Sequence, residues 1–237
     1  NDDAVPSKQA TLLGIPIYGM EVEHTGGNYM CDGYRNAVST DLVEDENSMT
    51  TTQINQQMLD YLGIDNYMIR PDALGDYIKH IDCWAKLLAP DKILIDSVPV
   101  SDPQYADFQA AKAYFASTNC PYGYPYKIYR PLIASSSGDE PFSNSFIFNN
   151  RVFVPLGGVS ATRDSAALNC YRTAMPGYIV KGYNSSGGAA WYGTDALHCR
   201  THEIADRQML YIEHFPLWGT INSPGGYDVD AKVVSYG

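Results

Sequence analysis

The chain has 237 residues, 45% of them hydrophobic and 18% charged, with a formal net charge of −11. This suits one large domain or two small ones with an ordinary packed core, and excludes a disordered chain. The acidic balance excludes a nucleic-acid partner, which calls for a basic surface, and no apolar run is long enough to span a membrane.

Cys31, Cys83, Cys120, Cys170 and Cys199 make an odd number, so at least one is free or pairs outside the chain. They are too sparse for a disulfide scaffold. The chain opens on Asn1-Asp2-Asp3 without a signal peptide, which reads as a cut inside a longer precursor.

In chain order, Leu12 to Tyr18 reads as a short strand leaving a helix end. Gly26-Gly27-Asn28 follows, a glycine pair that permits a close backbone approach. Ala37 to Val43 alternates as a strand. Thr51 to Leu62 is an amphipathic helix, capped by Thr51 or Thr52, with Ile54, Met58, Leu59 and Leu62 as its apolar stripe and Gly63 as its stop. Strand material follows at Asn66–Ile69 and Tyr77–Trp84, and Lys92–Asp96 is a buried strand type. A second helix runs from Asp102 to Ser117 with Tyr105, Phe108, Ala111 and Phe115 inward. Tyr126–Arg130 is a strand, and Asn149-Asn150-Arg151 turns a hairpin between two further strands. A third helix spans about Asp164 to Ala174, stopped by Pro176-Gly177, and Tyr178–Val180 is a strand. Ser185-Ser186-Gly187-Gly188 is a loop or lid leading to Cys199. Tyr227–Val233 alternates once more. The expected division is a catalytic domain over 1–218 and a closing strand or linker over 219–237.

Four chemistry-bearing stations recur along this order. Asn28, Asp82, Asn144 and Cys199 each stand at the edge of strand material, 54, 62 and 55 residues apart. Each interval holds helix and strand in similar order. This is the pattern of a small α/β unit repeated around an axis, which would gather the stations at one centre.

Cys199 lies in Leu197-His198-Cys199-Arg200-Thr201-His202. A thiolate is a strong nucleophile, and flanking imidazolium or guanidinium groups lower a thiol's pKa. The same cysteine could be a small buried hydrophobe, or a metal ligand with His198 and His202. No second Cys/His pair stands at zinc-ligand spacing, so no metal is expected, and no cofactor either. A carboxylate beside a thiol normally raises its pKa. Asp82 near Cys199 therefore makes sense when the substrate is a cation, above all a guanidinium, whose planar fork a carboxylate binds in bidentate fashion. His80 can then protonate a departing ammonia and deprotonate water. Singly, His80 reads better as a core histidine and Asp82 as a turn or cap residue; the coincidence of spacing is what favours a site.

Taken together, Gly26-Gly27-Asn28, His80-Ile81-Asp82, Asn144 before Phe146-Ile147-Phe148, and Leu197 to His202 resemble the guanidine-modifying enzymes. Closest among them is the bacterial, Porphyromonas-type peptidylarginine deiminase, itself related to agmatine deiminases. The resemblance covers nearly the whole chain. It implies a pentein-type α/β propeller of about five ββαβ-like blades, here roughly four. It also implies hydrolysis of arginine side chains to citrulline and ammonia, with Cys199 as nucleophile, His80 as general acid/base, Asp82 gripping the guanidinium, Asn144 in the catalytic constellation and Tyr77 lining a substrate channel. The implied partners are arginine-containing peptides and proteins, with C-terminal arginine favoured. The implied location is secreted or outer-membrane-associated, in a bacterium. The family's second guanidinium-binding aspartate and its carboxylate-binding arginines fall before Asn1 by this placement. A first blade is then missing, to be supplied by a companion chain, or the polypeptide does not turn over. The rival readings are deimination of a small guanidine such as agmatine or free arginine, an inactive arginine-peptide-binding module, and a secreted scaffold in which Cys199 pairs with Cys170.

Overall fold

The structure is a computed structural model that describes residues 4–188, 191–204, 206, 208–215 and 224–235. One unit is built three times over. In the first, β1 (Met30–Cys31) pairs antiparallel with β2 (Asn36–Thr40), and β3 (Asn66–Arg70) returns parallel to β2. Between β2 and β3 run the short helix α2 (Leu42–Asp45) and the longer α3 (Thr51–Leu62). The second unit repeats this with β4 (Ala85–Ala89), β5 (Lys92–Ile95), α4 (Tyr105–Ser117) and β6 (Lys127–Tyr129). The third uses β7 (Phe146–Phe148), β8 (Arg151–Pro155), α5 (Ala161–Ala174) and β9 (Ile179–Tyr183). An antiparallel pair follows, β10 (Leu210–His214) with β11 (Ala231–Ser235). The result is an α/β fold of three ββαβ units and a hairpin; among the described residues the sheets stay separate and form no closed barrel. The proposed boundary at 218/219 lies outside the described residues.

The first sheet has two apolar faces because it is covered twice. In β2 every residue is buried. Ala37 and Tyr67 look toward α3, where Ile54 and Met58 meet them, while Val38 and Met68 join the large shared core. That core gathers Trp84, Ile93, Leu94, Ile95, Phe108, Phe115, Val152 and Tyr171 from the later units. Burying each such side chain is worth about 1.5–3 kcal/mol, so the common core binds the units together more strongly than any single hydrogen bond.

Several local expectations shift. The first helix, α1 (Val5–Leu13), ends at Gly14, whose φ of 63° fits the left-handed cap. Ile15 to Tyr18, expected as strand, finds no partner strand. The cap of α3 is Thr50, one residue earlier than expected. Its hydroxyl accepts from Gln53 N while the Gln53 side chain reaches back to Thr50 N. Leu59 and Leu62, placed on the inner stripe, are exposed. The second helix starts at Tyr105 because Asp102 turns the chain first, accepting from Gln104 N and Ser136 N. Tyr77–Trp84, read as strand, is a turn instead. Asp76 Oδ1 accepts from Ile78 N and Lys79 N, Lys79 sits at φ 50°, and a tight helical turn covers Ile81–Cys83 before β4 begins.

Candidate active site

The loops that enter the sheets carry the site. Gly26–Asn28 forms one tight turn ahead of β1, and Ile81–Cys83 another ahead of β4. Asn144 lies in the turn before β7, and Cys199 in the turns after β9.

Two buried asparagines hold these turns to one another. Asn28 Oδ1 accepts from Thr40 N at 2.9 Å, Thr40 Oγ1 at 2.9 Å and Ile81 N at 3.2 Å, which fixes the His80-Ile81-Asp82 segment. Asn144 Oδ1 accepts from His198 N at 2.9 Å and Cys199 N at 3.4 Å, and its Nδ2 donates to Cys199 Sγ at 3.1 Å and Asp82 O at 3.4 Å. Ser143 Oγ also donates to Asp82 O, at 3.1 Å. Both asparagines are fully buried, and a buried amide tied to main-chain groups holds its contacts tightly.

Asp82 is fully buried and faces Cys199 directly, the thiol donating to Oδ2 at 3.3 Å. The same oxygen meets His198 Nδ1 at 2.8 Å, and Cys83 Sγ donates to Oδ1 at 3.6 Å. His80 flanks this carboxylate across Gly27. A Cβ on Gly27 would come 2.5 Å from His80 Nδ1 and 3.0 Å from Asp82 Oδ2. The glycine is thus required by the close approach of two site side chains.

The structure therefore brings Cys199, Asp82 and Asn144 into hydrogen-bond contact and sets His80 beside Asp82. Tyr77 is 86% exposed, and among the described residues no hydrogen bond joins its side chain to this group. His198, weighed as a thiol activator and metal ligand, is instead Asp82's hydrogen-bond partner. Its place next to Cys199 was the only signal for that role. Next to Cys83 and the Thr194 carbonyl, which lies 3.8 Å from Cys199 Sγ, opens a cleft of about 240 Å³ lined also by Asp76, Asp139 and Tyr192.

The electrostatics reverse one expectation. Flanking cations were to lower the Cys199 thiol; the thiol is pushed up to about 11, by burial first and the Asp82 charge second. The neighbouring side chains that were to do so are engaged elsewhere. Arg200 is engaged by Asp195, its Nε 2.7 Å from Oδ1, and lies over the Trp191 ring at 5.6 Å. His198 faces Asp82. All five cysteines are unpaired, so the Cys199–Cys170 bridge of the scaffold reading does not form. Among the described residues no three His, Cys, Asp or Glu side chains come together as a metal site.

Comparison with known proteins places this geometry. The profile of the Porphyromonas-type peptidyl-arginine deiminases matches residues 1–204. The chain belongs to that family. Among solved structures, this deiminase-family chain is similar to an agmatine deiminase of Enterococcus faecalis, at 20% identity and a TM-score of 0.71 over 84% of the chain and 62% of that structure. It is likewise similar to a Porphyromonas gingivalis protein provisionally assigned as an arginine deiminase (23% identity, TM-score 0.67, 84% and 63% covered). A provisionally assigned peptidyl-arginine deiminase gives 20% identity and a TM-score of 0.73, with 86% and 65% covered. The chain thus spans under two thirds of the length of each of these structures. The likeness is one of fold, and it assigns the three ββαβ units to the mixed α/β architecture of the pentein deiminases.

Proposed function

We propose that this chain carries the reactive half-site of a hydrolase that converts arginine side chains of peptides to citrulline, releasing ammonia. The observation that carries the reading is the meeting of a thiol, a buried carboxylate and an amide within hydrogen-bond distance, beside a histidine, in a chain of the deiminase family. A buried carboxylate bonded, among the described residues, by a histidine and thiols but by no lysine or arginine is suited to a cationic ligand, and a guanidinium brings both charge and a two-pronged fork.

In this mechanism the arginine side chain enters with its guanidinium against Asp82 and displaces the contacts of Cys199 and His198 to Oδ2. The arriving positive charge offsets Asp82 and favours the thiolate, and the thiol's proton passes to His80. Cys199 Sγ attacks the guanidinium carbon, forming a C–S bond. His80 gives a proton to the departing nitrogen, the C–N bond breaks, and ammonia leaves a thiouronium adduct. His80 then takes a proton from water and the hydroxide attacks the same carbon; the C–S bond breaks as the hydroxyl proton passes to the sulfur, citrulline leaves with the thiol restored, and His80 gives its proton to solvent. Asn144 Nδ2, 3.1 Å from the sulfur, stabilises the thiolate throughout. The acid-lined cleft beside Thr194 supports a cationic substrate, and the exposed Tyr77 is left to contact the remainder of a peptide.

A fuller ring of such units, closed by a further unit on another chain or on a longer form of this one, belongs to the same reading. So does action outside the bacterial cell. The second reading is a small guanidine as substrate, favoured by the structural likeness to an agmatine deiminase. Citrulline formation from an arginine peptide, compared with carbamoylputrescine formation from agmatine, decides between them. Release of ammonia from either by the Cys199→Ala variant would overturn the assignment of the nucleophile.

A further inference from the structure

The turn that carries Asn144 is tied to a helix that the mechanism above does not use. Phe142, Ser143, Asn144 and Ser145 are fully buried. Within the turn the bonds are local: Asn144 N donates to Pro141 O at 3.0 Å and Ser145 N to Ser143 O at 2.7 Å. Such bonds shape a turn without fixing where it sits. Two outside anchors come from one face of α5, where Arg163, Ala167 and Tyr171 follow at intervals of four residues. At the start of the loop, Arg163 Nε bonds both oxygens of the buried Glu140 carboxylate, at 2.7 and 2.9 Å. About two turns further along the helix, the Tyr171 hydroxyl donates to Phe142 O at 2.7 Å and lies 2.9 Å from Ser145 Oγ. It thus clasps the turn on both sides of Asn144.

We infer that Tyr171 is a positioning residue for the reaction: its hydroxyl holds the Asn144 turn so that the amide meets the Cys199 sulfur. The inference rests on the proposed roles of Cys199 and Asn144, but its first test needs no turnover. Tyr171 is fully buried, and a buried phenol needs a partner for its hydroxyl. The ring fills space in the shared core that a phenylalanine ring would also fill; the hydroxyl is committed to the turn. Burial pushes this phenol well above its ordinary range, so it stays a neutral donor. The turn in turn has little room to drift. Asn144 reaches the sulfur at 3.1 Å and His198 N at 2.9 Å, but Cys199 N and Asp82 O only at 3.4 Å. Contacts of that length are near the limit for a hydrogen bond, so a small shift of the turn breaks them.

The test is the rate of Cys199 alkylation by iodoacetamide without substrate, resolved from the other cysteines by peptide mass spectrometry. Tyr171→Phe keeps the ring and deletes the hydroxyl. It is expected to slow labelling of Cys199 near neutral pH by about fivefold, the equivalent of one ordinary hydrogen bond. In an Asn144→Ala background the same substitution is expected to change the rate by less than about twofold, because the contact it positions is gone. Phe115→Leu, a core change on α4, is expected to lower the denaturant midpoint and leave labelling unchanged. Ser145→Ala removes the hydroxyl's second partner and covers a Tyr171 variant that does not fold; it should slow labelling in the same Asn144-dependent way. With an arginine peptide, Tyr171→Phe should lower kcat while KM stays within about twofold. Equal labelling rates in wild type and Tyr171→Phe, an equal slowing with and without Asn144, or a like slowing in Phe115→Leu would overturn the inference. Absence of citrulline formation from a wild type that shows the expected labelling pattern would overturn the proposed reaction and leave the role of Tyr171 in place.

Discussion

The turn held by Asn28 and the turn held by Asn144 are the same device put to two uses. In both, a fully buried asparagine accepts main-chain N–H groups from the next station through Oδ1. At Asn28 the device ends there: three groups bond to Oδ1, and Nδ2 is buried without a partner. At Asn144 the other end of the amide is also used, reaching the Cys199 sulfur and the Asp82 carbonyl. Repetition supplies the scaffold that converges the stations; chemistry enters where one copy adds a contact to a reactive atom. A buried amide donor without a partner costs about 1–3 kcal/mol, so the Asn28 copy gives up stability that the Asn144 copy recovers.

The widest break between the two copies is expected at the residues they present. Cys199→Ser should reduce citrulline formation by about a thousandfold or more, since a serine hydroxyl is far less ionised than a thiol. Asn144→Ala should come next, lowering kcat by about a hundredfold and slowing substrate-free alkylation of Cys199. Asn28→Ala should leave that alkylation within about twofold while lowering the denaturant midpoint, by about 1–3 kcal/mol of stability. An Asn28 variant that slowed alkylation as much as the Asn144 variant would show that the two copies are not functionally distinct. Gly27→Ala tests the close approach at the first copy. Its methyl group would collide with His80 Nδ1, so a loss of about tenfold in kcat is expected, with unchanged Cys199 alkylation.

The smallest effect concerns pH. The Cys199 thiol stands near 11 in the folded chain against about 9 when unperturbed. A raised folded value means the proton is held more tightly in the native state. Its stabilising contribution is therefore full below about pH 9 and is lost as pH rises through about 11. The fall in urea midpoint between pH 9 and 11 should be shallower in Cys199→Ser than in wild type. Addition of a guanidinium ligand should move Cys199 alkylation to lower pH, because the ligand's charge offsets Asp82.

Much of this was legible in the sequence because repetition leaves a period. The interval between stations pointed to one centre, and Asp82, Asn144 and Cys199 do meet. The helices were legible from the 3.6-residue pattern, with errors at the end of the α3 stripe, where Leu59 and Leu62 are exposed, and at the caps, where Thr50, Asp102 and Ser160 act through side-chain contacts that periodicity does not encode. Tyr77 to Trp84 misled because alternating aromatic and aliphatic residues look like a strand, whereas a carboxylate at Asp76 bends the backbone first. The roles of Arg200 and His198 were hidden for a different reason. A side chain's effect on a neighbour depends on which acid it faces, and Asp195 and Asp82 claim these two through space.

The neutral state of the Cys199 sulfur also bears on survival of the protein between encounters. Peroxides oxidise thiolates, not thiols, and the first product is a sulfenic acid. With its proton retained by burial and by Asp82, the sulfur is held in the form that peroxides attack least, and a cation bound against Asp82, such as the proposed guanidinium substrate, would both favour the thiolate and cover it.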